Sequence, residues 1–335
     1  MGYEDLYREY EAHREKALAM GGKAKLERRR NAGILNARER LDYLLDKGTF
    51  LESGMFAASA KPEDRDTTPG DGKLCGYGRI DGREAVVIAN DFTVKGASSA
   101  GTNMKKIGQM QRTATERGLP LVFLGESSGA RIPDNMGALG MGNLLANNAT
   151  QYRRLRESPW ASAVLGMCYG SSTWYTCMSD FSVMRKGAVM AVSSERLVSM
   201  AIGEKIDGQA LGGWKMHAET TGLIDQFVDT DEEAIDAVKA FLAYLPGHCN
   251  EAPPVAAVPK GSDAAVKDVA ALVPESRTQV YDMRKVIQAV IDTGSYFELK
   301  PRFGRTAVTA LTRVGGRSVG IIANKLLLQL FSFAQ

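Results

Sequence analysis

Short apolar runs of strand length alternate with helical segments through most of this chain. The first clear pattern is a hairpin, in which residues 73–80 and 84–90 are joined by an Asp-Gly pair. Asp-Gly favours the left-handed backbone that a type I′ turn requires. A helical run over residues 103–117 then leads into the apolar run 120–124, which predicts a helix followed by a buried strand.

The same unit recurs further along the chain. Helical patterns cover residues 140–157, 173–178 and 231–244, strand-length apolar runs cover 161–167 and 181–185, and residues 204–207 and Leu211 are expected in loops. Strands that alternate with helices of one to four turns predict a mainly parallel sheet, buried by crossover helices. Residues 3–47 carry apolar side chains at irregular helical spacing and are expected to be helical.

Two blocks of sequence occur twice, in the same order. RERLDYLLDKGTFLE (38–52) matches RKVIQAVIDTGSYFE (284–298), with identical arginine, aspartate, glycine and glutamate positions. GYGRIDGREAVVIAN (76–90) matches ALTRVGGRSVGIIAN (310–324) and ends in the same Ile-Ala-Asn. Because the spacing exceeds two hundred residues, the repeat predicts a duplicated domain rather than a short-repeat solenoid.

A change of composition separates the two copies. Residues 247–263 (GHCNEAPPVAAVPKGSD) contain three prolines and many small residues, as linkers do. We therefore divide the chain into a helical arm (1–36), a first domain (37–246), a linker (247–275) and the incomplete start of a second domain (276–335). The second copy is expected to lack whatever the first builds after Asn90, and the apolar tail KLLLQLFSFAQ, expected to be a truncated or altered end, is too short to cross a membrane.

Composition narrows the class of protein. The 335 residues are 44% hydrophobic and 24% charged, which is the composition of a globular protein. The net charge of only +3 gives no indication of nucleic-acid binding by the chain as a whole. Seven lysines and arginines between residues 23 and 40 form a basic stretch. That stretch is either a solvated helical arm or an anion-binding surface.

The cysteines and histidines argue against a metal site. The four cysteines form no CxxC pair, and the three histidines are far apart, so no zinc-binding spacing is present. The N-terminus is charged from residue 4 and has no apolar signal-peptide region. We expect reduced thiols and a cytoplasmic location.

Two glycine-bearing turns follow predicted strands, in LVFLGESSGAR (121–131) and in VLGMCYGSSTW (164–174). In a parallel sheet both lie at the carboxyl ends of strands, where open α/β sheets bind ligands. The N–H groups that begin the following helix can hold an oxygen that becomes negative. Glycine after a strand is also the ordinary composition of a tight turn, so the turns alone leave both interpretations open.

Better-known glycine motifs do not fit these turns. No Gly-Lys-Ser/Thr of a phosphate-binding loop follows either turn, and neither contains GxGxxG. Ser127 and Ser128 do not hold the central position of GxSxG, and no nearby histidine suggests a partner for a serine nucleophile.

Taken together and in order, these segments resemble the carboxyltransferase subunits of biotin-dependent acyl-CoA carboxylases, such as the β subunits of propionyl-CoA carboxylase. The resemblance rests on ARERLDYLLDKGTF (37–50), GDGKLCGYGRIDGR (70–83), NDFTVKGAS (90–98), ESSGARI (126–132), GMCYGSS (166–172), QALGGWKMHAETTG (209–222) and YDMRKVIQAVIDTGSYFE (281–298). It covers nearly the whole chain as far as Asn324, and so many ordered motifs make it specific.

The resemblance implies a fold and a reaction. Each copy is expected to be an α/β, crotonase-like ββα spiral. An acyl-CoA thioester is enolised, its oxygen is held by backbone N–H groups, and the α carbon takes the carboxyl group of carboxybiotin carried by a partner protein. The N-terminal domain of such a subunit receives the thioester and the C-terminal domain receives biotin, with the site shared across a dimer interface.

The resemblance also assigns residues. The oxyanion hole falls on Gly170 and Ser171, and the turn of Gly129, Ala130 and Arg131 shapes the pocket. The remaining substrate contacts are expected from Lys95, Gly96 and Tyr169. The implied partners are the acyl-CoA substrate, a biotin carboxylase or biotin carrier subunit and further copies of the chain, with neither nucleic acid nor membrane.

Several positions depart from the family pattern or have two interpretations. Ser171 stands where the family usually has glycine, and with Tyr169 and Trp174 it is expected to narrow the acyl pocket. Ser128 also replaces a glycine, and Pro133 is expected to stiffen the pocket. Lys95, Lys105 and Lys106 are either CoA-phosphate ligands or exposed helix lysines, and His217 is expected to make a structural hydrogen bond rather than transfer a proton.

Three functions therefore remain open. The first is an acyl-CoA carboxyltransferase subunit that is incomplete without its second domain. The second is a catalytically silent crotonase-like binding or assembly subunit, and the third is a biotin-independent acyl-CoA decarboxylase that needs only the oxyanion hole.

Overall fold

The structure is a computed structural model, and it describes residues 2–136, 156–276 and 279–324. The helix predicted over 140–157 lies outside these residues except for its last two positions, and so does the tail 325–335. The helices, numbered along the described residues, are α1 (Tyr3–Leu18), α2 (Lys23–Asn31), α3 (Ala37–Leu44), α4 (Gly101–Arg117), α5 (Ile132–Asn135), α6 (Ser171–Cys177), α7 (Glu195–Ile202), α8 (Gly208–Gly212), α9 (Asp231–Ala243) and α10 (Met283–Val290).

Two sheets carry the described strands. The strands are β1 (Leu51–Ser53), β2 (Lys73–Ile80), β3 (Arg83–Asn90), β4 (Leu121–Ser127), β5 (Trp160–Tyr169), β6 (Phe181–Arg185), β7 (Val189–Ala191), β8 (Gln226–Val228), β9 (Phe297–Leu299), β10 (Ala307–Val314) and β11 (Arg317–Asn324). The larger sheet has the order β1-β2-β3-β4-β5-β6-β8, with β7 paired to the end of β5. It is antiparallel from β1 to β3 and parallel from β3 onwards, as the alternation of helices and strands predicted.

The predicted hairpin is confirmed. Asp81 and Gly82 join β2 to β3 with φ values of 50° and 77°, so both central residues adopt the left-handed backbone of a type I′ turn. Asp46 then accepts hydrogen bonds from both of their N–H groups, at 3.1 and 2.7 Å. This side chain fixes the turn.

Helices cover both faces of the larger sheet. On one face, α4 packs Ile107 and Met110 against β3 and β4. On the other, α3 and α9 pack against the sheet and against each other, through residues such as Leu41 and Ile235. Thr230 caps the start of α9 in a capping box with Glu233, which explains why the helix begins where the charged run begins.

The duplication predicted from the sequence is present as a repeated substructure. In the first copy the Arg38 guanidinium contacts Glu52 at 2.9 Å, and in the second Arg284 contacts Glu298 at 2.5 Å. Asp292 accepts from the N–H groups of the second hairpin turn, as Asp46 does in the first. The β9-β10-β11 sheet is therefore a second version of β1-β2-β3.

One prediction about the middle of the chain was partly wrong. Leu211 was expected in a loop, but it lies in α8, where Asp207 accepts from the Gln209 and Ala210 N–H groups. The preceding α7 was not predicted, although Ser194 caps it. Both helices are short, so their apolar spacing was too brief to give a periodic signal.

The basic stretch near the N-terminus is helical but only partly solvated. Lys23 is exposed, whereas Arg40 is completely buried and Arg29 nearly so. The interpretation as a solvated arm therefore holds for part of α2 and fails for the arginines that face the sheet. None of the described helices combines the length and hydropathy needed to span a bilayer.

Candidate active site

The two glycine-bearing turns meet at one edge of the sheet. β4 and β5 are parallel neighbours, with Ser127 opposite Cys168, so the turns that follow them lie side by side. A Cβ placed on Gly170 would lie 3.8 Å from the Gly129 Cα. Both turns line a cavity of about 370 Å³, which we call the turn cavity; it is bordered by Ser99, Ser128–Ala130, Ile132, Tyr169–Ser171, Trp174, Val192–Ser194 and Leu197.

Glycine is needed at both turns because of backbone conformation. Gly170 has φ 64° and ψ −124°, and Gly129 has φ 100°. Residues with a Cβ are strained in this region, whereas glycine adopts it freely. Steric crowding does not require glycine at either position, because a Cβ added to Gly129 or Gly170 would have its nearest neighbouring atoms at ordinary contact distances of 3.7–3.8 Å.

The N–H groups available to a ligand differ from those expected. The Gly170 N–H already donates to the Ala191 and Val192 carbonyls, at 3.2 Å each. Among the described residues, the N–H groups of Ala130 and Ser171 have no acceptor. Ala130 and Ser171, one from each turn, therefore offer cavity-lining N–H groups that could hold a negative oxygen.

Arg131 lies beside the cavity but not in it. Its guanidinium contacts Asp71 at 2.6 Å and Asp134 at 3.2 Å, and also donates to Ser98. Burial, the largest influence, raises the pKa of Asp71 despite this arginine. The guanidinium is buried and already bonded within the protein, so Arg131 supports the turn, and its expected contact with substrate stays a prediction.

Two aromatic side chains, Tyr169 and Trp174, border the turn cavity. Tyr169 is buried and its hydroxyl donates to Glu195 at 3.4 Å; burial and this carboxylate raise the pKa of Tyr169. Trp174 remains 38% exposed, so its ring borders the mouth. Pro133 lies in the first turn of α5, where it removes no needed donor.

A second concave region adjoins the first and is strongly basic. This region, the basic cleft, has a volume of about 550 Å³ and is lined by side chains that include Lys25, Arg28, Arg29, Lys95 and Arg185. Gly96 lines it and lies next to the turn cavity, since its added Cβ would come within 2.6 Å of the Ser128 Oγ. The Lys95 ammonium contacts Asp64 at 3.0 Å and is 41% exposed.

The other two lysines proposed as phosphate ligands have different places. Lys106 is buried, and its ammonium donates to the carbonyls of Gly70 and Lys73 at 2.9 and 2.6 Å. Burial lowers the pKa of Lys106. It holds the loop before β2 and is not a phosphate ligand, whereas Lys105 is exposed on α4 and lines neither the turn cavity nor the basic cleft.

A buried charge cluster behind the turns was missed by sequence reasoning. The Glu126 carboxylate, next to the first turn, accepts from Arg29 at 2.8 and 2.9 Å and from Arg40 at 2.6 Å. Arg40 also contacts Asp231 at 2.9 Å. A signal was present in the sequence, because Arg40 falls on the same helical face as the buried Ala37 and Leu44.

His217 has the structural role expected of it, although it lies in a π-helical turn (Met216–Thr221) and not in a loop. Its Nε2 is 2.7 Å from the Met190 carbonyl and its Nδ1 is 3.0 Å from the Thr221 hydroxyl. Because a carbonyl only accepts, Nε2 carries the proton. Burial lowers the pKa of His217. Within the described residues, no three His, Cys, Asp or Glu side chains are grouped to hold a metal ion.

Both the fold and the sequence of this chain are similar to those of known proteins. The chain superposes on transcarboxylase 12S, solved with hydrolysed methylmalonyl-coenzyme A bound, with a TM-score of 0.89 at 30% identity, over 97% of this chain and 64% of that one. The fold is therefore the crotonase-like α/β architecture that the sequence predicted. Residues 28–328 match the carboxyl transferase domain, and the chain belongs to that family.

Two curated relatives are similar over most of this chain. It is 33% identical over 330 residues to the carboxyltransferase subunit of propionyl-CoA carboxylase from Haloferax mediterranei, which covers 97% of this chain and 63% of the relative. It is 32% identical over 318 residues to the alpha subunit of methylmalonyl-CoA decarboxylase from Propionigenium modestum, covering 93% and 61%. The chain thus spans just under two thirds of the length of these relatives.

Proposed function

We propose that this chain is the acyl-CoA-binding part of a biotin-dependent acyl-CoA carboxyltransferase. The observation that carries the proposal is the pair of unpaired N–H groups, Ala130 and Ser171, in a cavity at the strand ends of a carboxyl transferase domain. In this proposal the pair replaces Gly170 and Ser171 as the oxyanion hole, because the Gly170 N–H is already bonded.

The proposed chemistry uses the cavity to stabilise an enolate. The thioester oxygen accepts hydrogen bonds from the two N–H groups, and these bonds strengthen as the α proton leaves and negative charge moves onto that oxygen. Carboxybiotin on a partner carrier would supply both the carboxyl group and the base: as its N–C bond breaks, the biotin nitrogen would take the α proton and the enolate carbon would take the released carbon dioxide. His217 takes no part, because both of its ring nitrogens are bonded within the protein.

The basic cleft is the proposed place for the phosphates of CoA. Lys25, Arg28 and Lys95 line it and present positive charge beside the turn cavity. Phosphate oxygens accept charge-assisted hydrogen bonds from such groups. Gly96, which lies between the cleft and the cavity, lets the chain pass close to the ligand.

The proposed assembly is a homo-oligomer that also binds a biotin carboxylase or carrier subunit. An exposed apolar strip on and beside α7, formed by Val192, Leu197, Met200 and Ile202, supports an interface near the cavity mouth. Light scattering that gives a mass of only one 36.2 kDa chain would argue against self-association. The proposed compartment is the cytoplasm.

Thermal stabilisation by acyl-CoA tests the proposed function. Propionyl-CoA at millimolar concentration is expected to raise the melting temperature, since a ligand that binds only the folded state stabilises it. Arg28→Glu should weaken the shift, and Lys105→Glu, outside the cleft, should leave it unchanged. No shift with any acyl-CoA would reject the proposal and the decarboxylase alternative together.

Assays of the reaction separate the remaining functions. Because the chain spans just under two thirds of its relatives' length, we expect it to show no carboxyl transfer from a carboxybiotin carrier by itself. The similarity to the Propionigenium modestum subunit, which is named for decarboxylation of methylmalonyl-CoA, is the reason to test decarboxylation. Carbon dioxide release from methylmalonyl-CoA without biotin would support that alternative, and binding without either reaction would support a silent subunit.

A further inference from the structure

Two serine hydroxyls lie together inside the turn cavity. The Ser99 Oγ and the Ser171 Oγ are 2.7 Å apart, and both residues line the cavity. Ser99 is only 4% exposed, whereas Ser171 is half-buried. Neither hydroxyl has another hydrogen-bond partner among the described residues.

The position of this pair is set by the backbone on both sides. The Ser99 N–H donates to the Gly129 carbonyl at 2.8 Å, and its own carbonyl accepts from the Arg131 N–H at 2.8 Å and from the Asn135 amide at 2.9 Å. Ser99 is thereby held against Ala130, and Ser171 begins α6 in the other turn. The hydroxyl pair bridges the two turns that carry the free N–H groups.

Counting protons shows that the pair is incomplete without a ligand. Each serine hydroxyl has one proton to donate, and a bond between the two uses only one of them. Because Ser99 is the more buried, its proton is best donated to Ser171, which leaves the Ser171 proton directed at the cavity. When a ligand closes the cavity, the Ser171 hydroxyl loses its water. If the ligand offers no acceptor, leaving this donor unpaired makes binding less favourable.

We propose that the Ser99–Ser171 pair selects acyl-CoA thioesters that carry a carboxylate on the α carbon over their uncarboxylated counterparts. This inference rests on the proposed function. If the Ala130 and Ser171 N–H groups hold the thioester oxygen, the remaining hydroxyl proton needs a second oxygen on the same acyl group. An α carboxylate supplies one, and a plain alkyl chain does not.

The rest of the cavity is compatible with such a ligand. None of the described residues that line the cavity is acidic. Glu195 accepts a hydrogen bond from Tyr169 but does not itself line the cavity. The border formed by Ile132, Trp174 and Leu197 is apolar and suits a small alkyl substituent. A hydroxyl–carboxylate bond is charge-assisted and so stronger than a neutral one.

Calorimetric titration with malonyl-CoA and acetyl-CoA tests the proposal. The wild-type chain is expected to bind malonyl-CoA about tenfold more tightly, the ratio that corresponds to one net hydrogen bond of about 1.4 kcal/mol. Ser171→Ala should remove this preference without weakening acetyl-CoA binding. Ser99→Ala should reduce the preference, because it leaves the Ser171 hydroxyl without the contact that orients its proton. The double variant should lose no more than Ser171→Ala alone, because the Ser99 hydroxyl acts only through Ser171.

Matched controls make the outcomes distinguishable. Thr113→Ala, which removes a hydroxyl on α4 outside the cavity, should keep the preference, and thermal melts check that each variant folds. Equal loss for both ligands, or an unchanged preference in Ser171→Ala, would overturn the selection. Wild-type protein that binds both ligands equally would overturn the selection alone, whereas protein that binds neither would reject the proposed function as well.

Discussion

Ser171 illustrates how much depends on single residues at this site. Its N–H has no acceptor within the described part of the chain, its hydroxyl contacts Ser99, and the glycine before it adopts a backbone that side chains disfavour. Sequence reasoning placed Ser171 at the site through a family resemblance. The bonds that occupy the Gly170 N–H could not be predicted from the sequence, because they come from residues 191 and 192 on β7 and just beyond it.

His217 supports a prediction about pH. Burial lowers its pKa below the usual value of about 6.5, so as the pH falls through that value the unfolded chain takes up a proton before the folded one does. Stability is therefore expected to fall below about pH 6.5, by at most about 1.4 kcal/mol per pH unit from this group. Urea unfolding at several pH values measures it.

The matched variants for this prediction are His217→Gln and His13→Gln. His217→Gln should flatten the dependence below about pH 6.5, and His13→Gln, on the exposed face of α1, should retain the wild-type slope. An unchanged slope in His217→Gln would show that other groups control acid sensitivity.

At the scale of elements, the buried charge cluster connects helices to the strand that carries the first turn. Glu126, at the end of β4, holds Arg29 of α2 and Arg40 of α3, and Arg40 reaches Asp231 at the start of α9. Burial alone would lower the pKa of Arg40, but the two carboxylates raise it above its usual value. An added Cβ on Gly166 would lie 2.6 Å from the Glu126 Oε1, so glycine on β5 leaves room for the carboxylate.

Glu126→Gln is expected to destabilise the fold strongly. Removing one charge leaves two arginines with too few buried partners, which typically costs about 3–5 kcal/mol. The free energy of unfolding in urea measures the effect. Asp66→Asn, which removes the exposed partner of Lys16, provides a control with little expected change. Similar losses for the two variants would contradict the structural role given to the cluster.

Elements were predicted best where a long pattern supported them. The β2–β3 hairpin, α4 and α9 had clear periodicity or turn residues, and all three are present. Arg40 was missed because its place on an apolar helical face is explained only by its distant partners, Glu126 and Asp231. Contacts between positions far apart in sequence are what a single sequence conceals.

At the scale of the molecule, the duplication explains the layout of the chain. Each copy begins with a helix, a short strand and a hairpin, and each is fixed by the same arginine–glutamate and aspartate–turn contacts. In the first copy β3 continues into the parallel sheet that carries both glycine turns. Among the described residues, β11 of the second copy pairs only with β10. The turn cavity therefore belongs to the first copy.

Ser171→Pro tests most directly whether the backbone N–H groups of Ala130 and Ser171 hold an acyl thioester. Proline is well tolerated at the first position of a helix but has no N–H, whereas Ser171→Ala keeps the N–H and loses only the hydroxyl. In calorimetric titration with propionyl-CoA, the dissociation constant should be at least about tenfold larger for Ser171→Pro than for Ser171→Ala. Equal affinities in two equally folded variants would contradict the account.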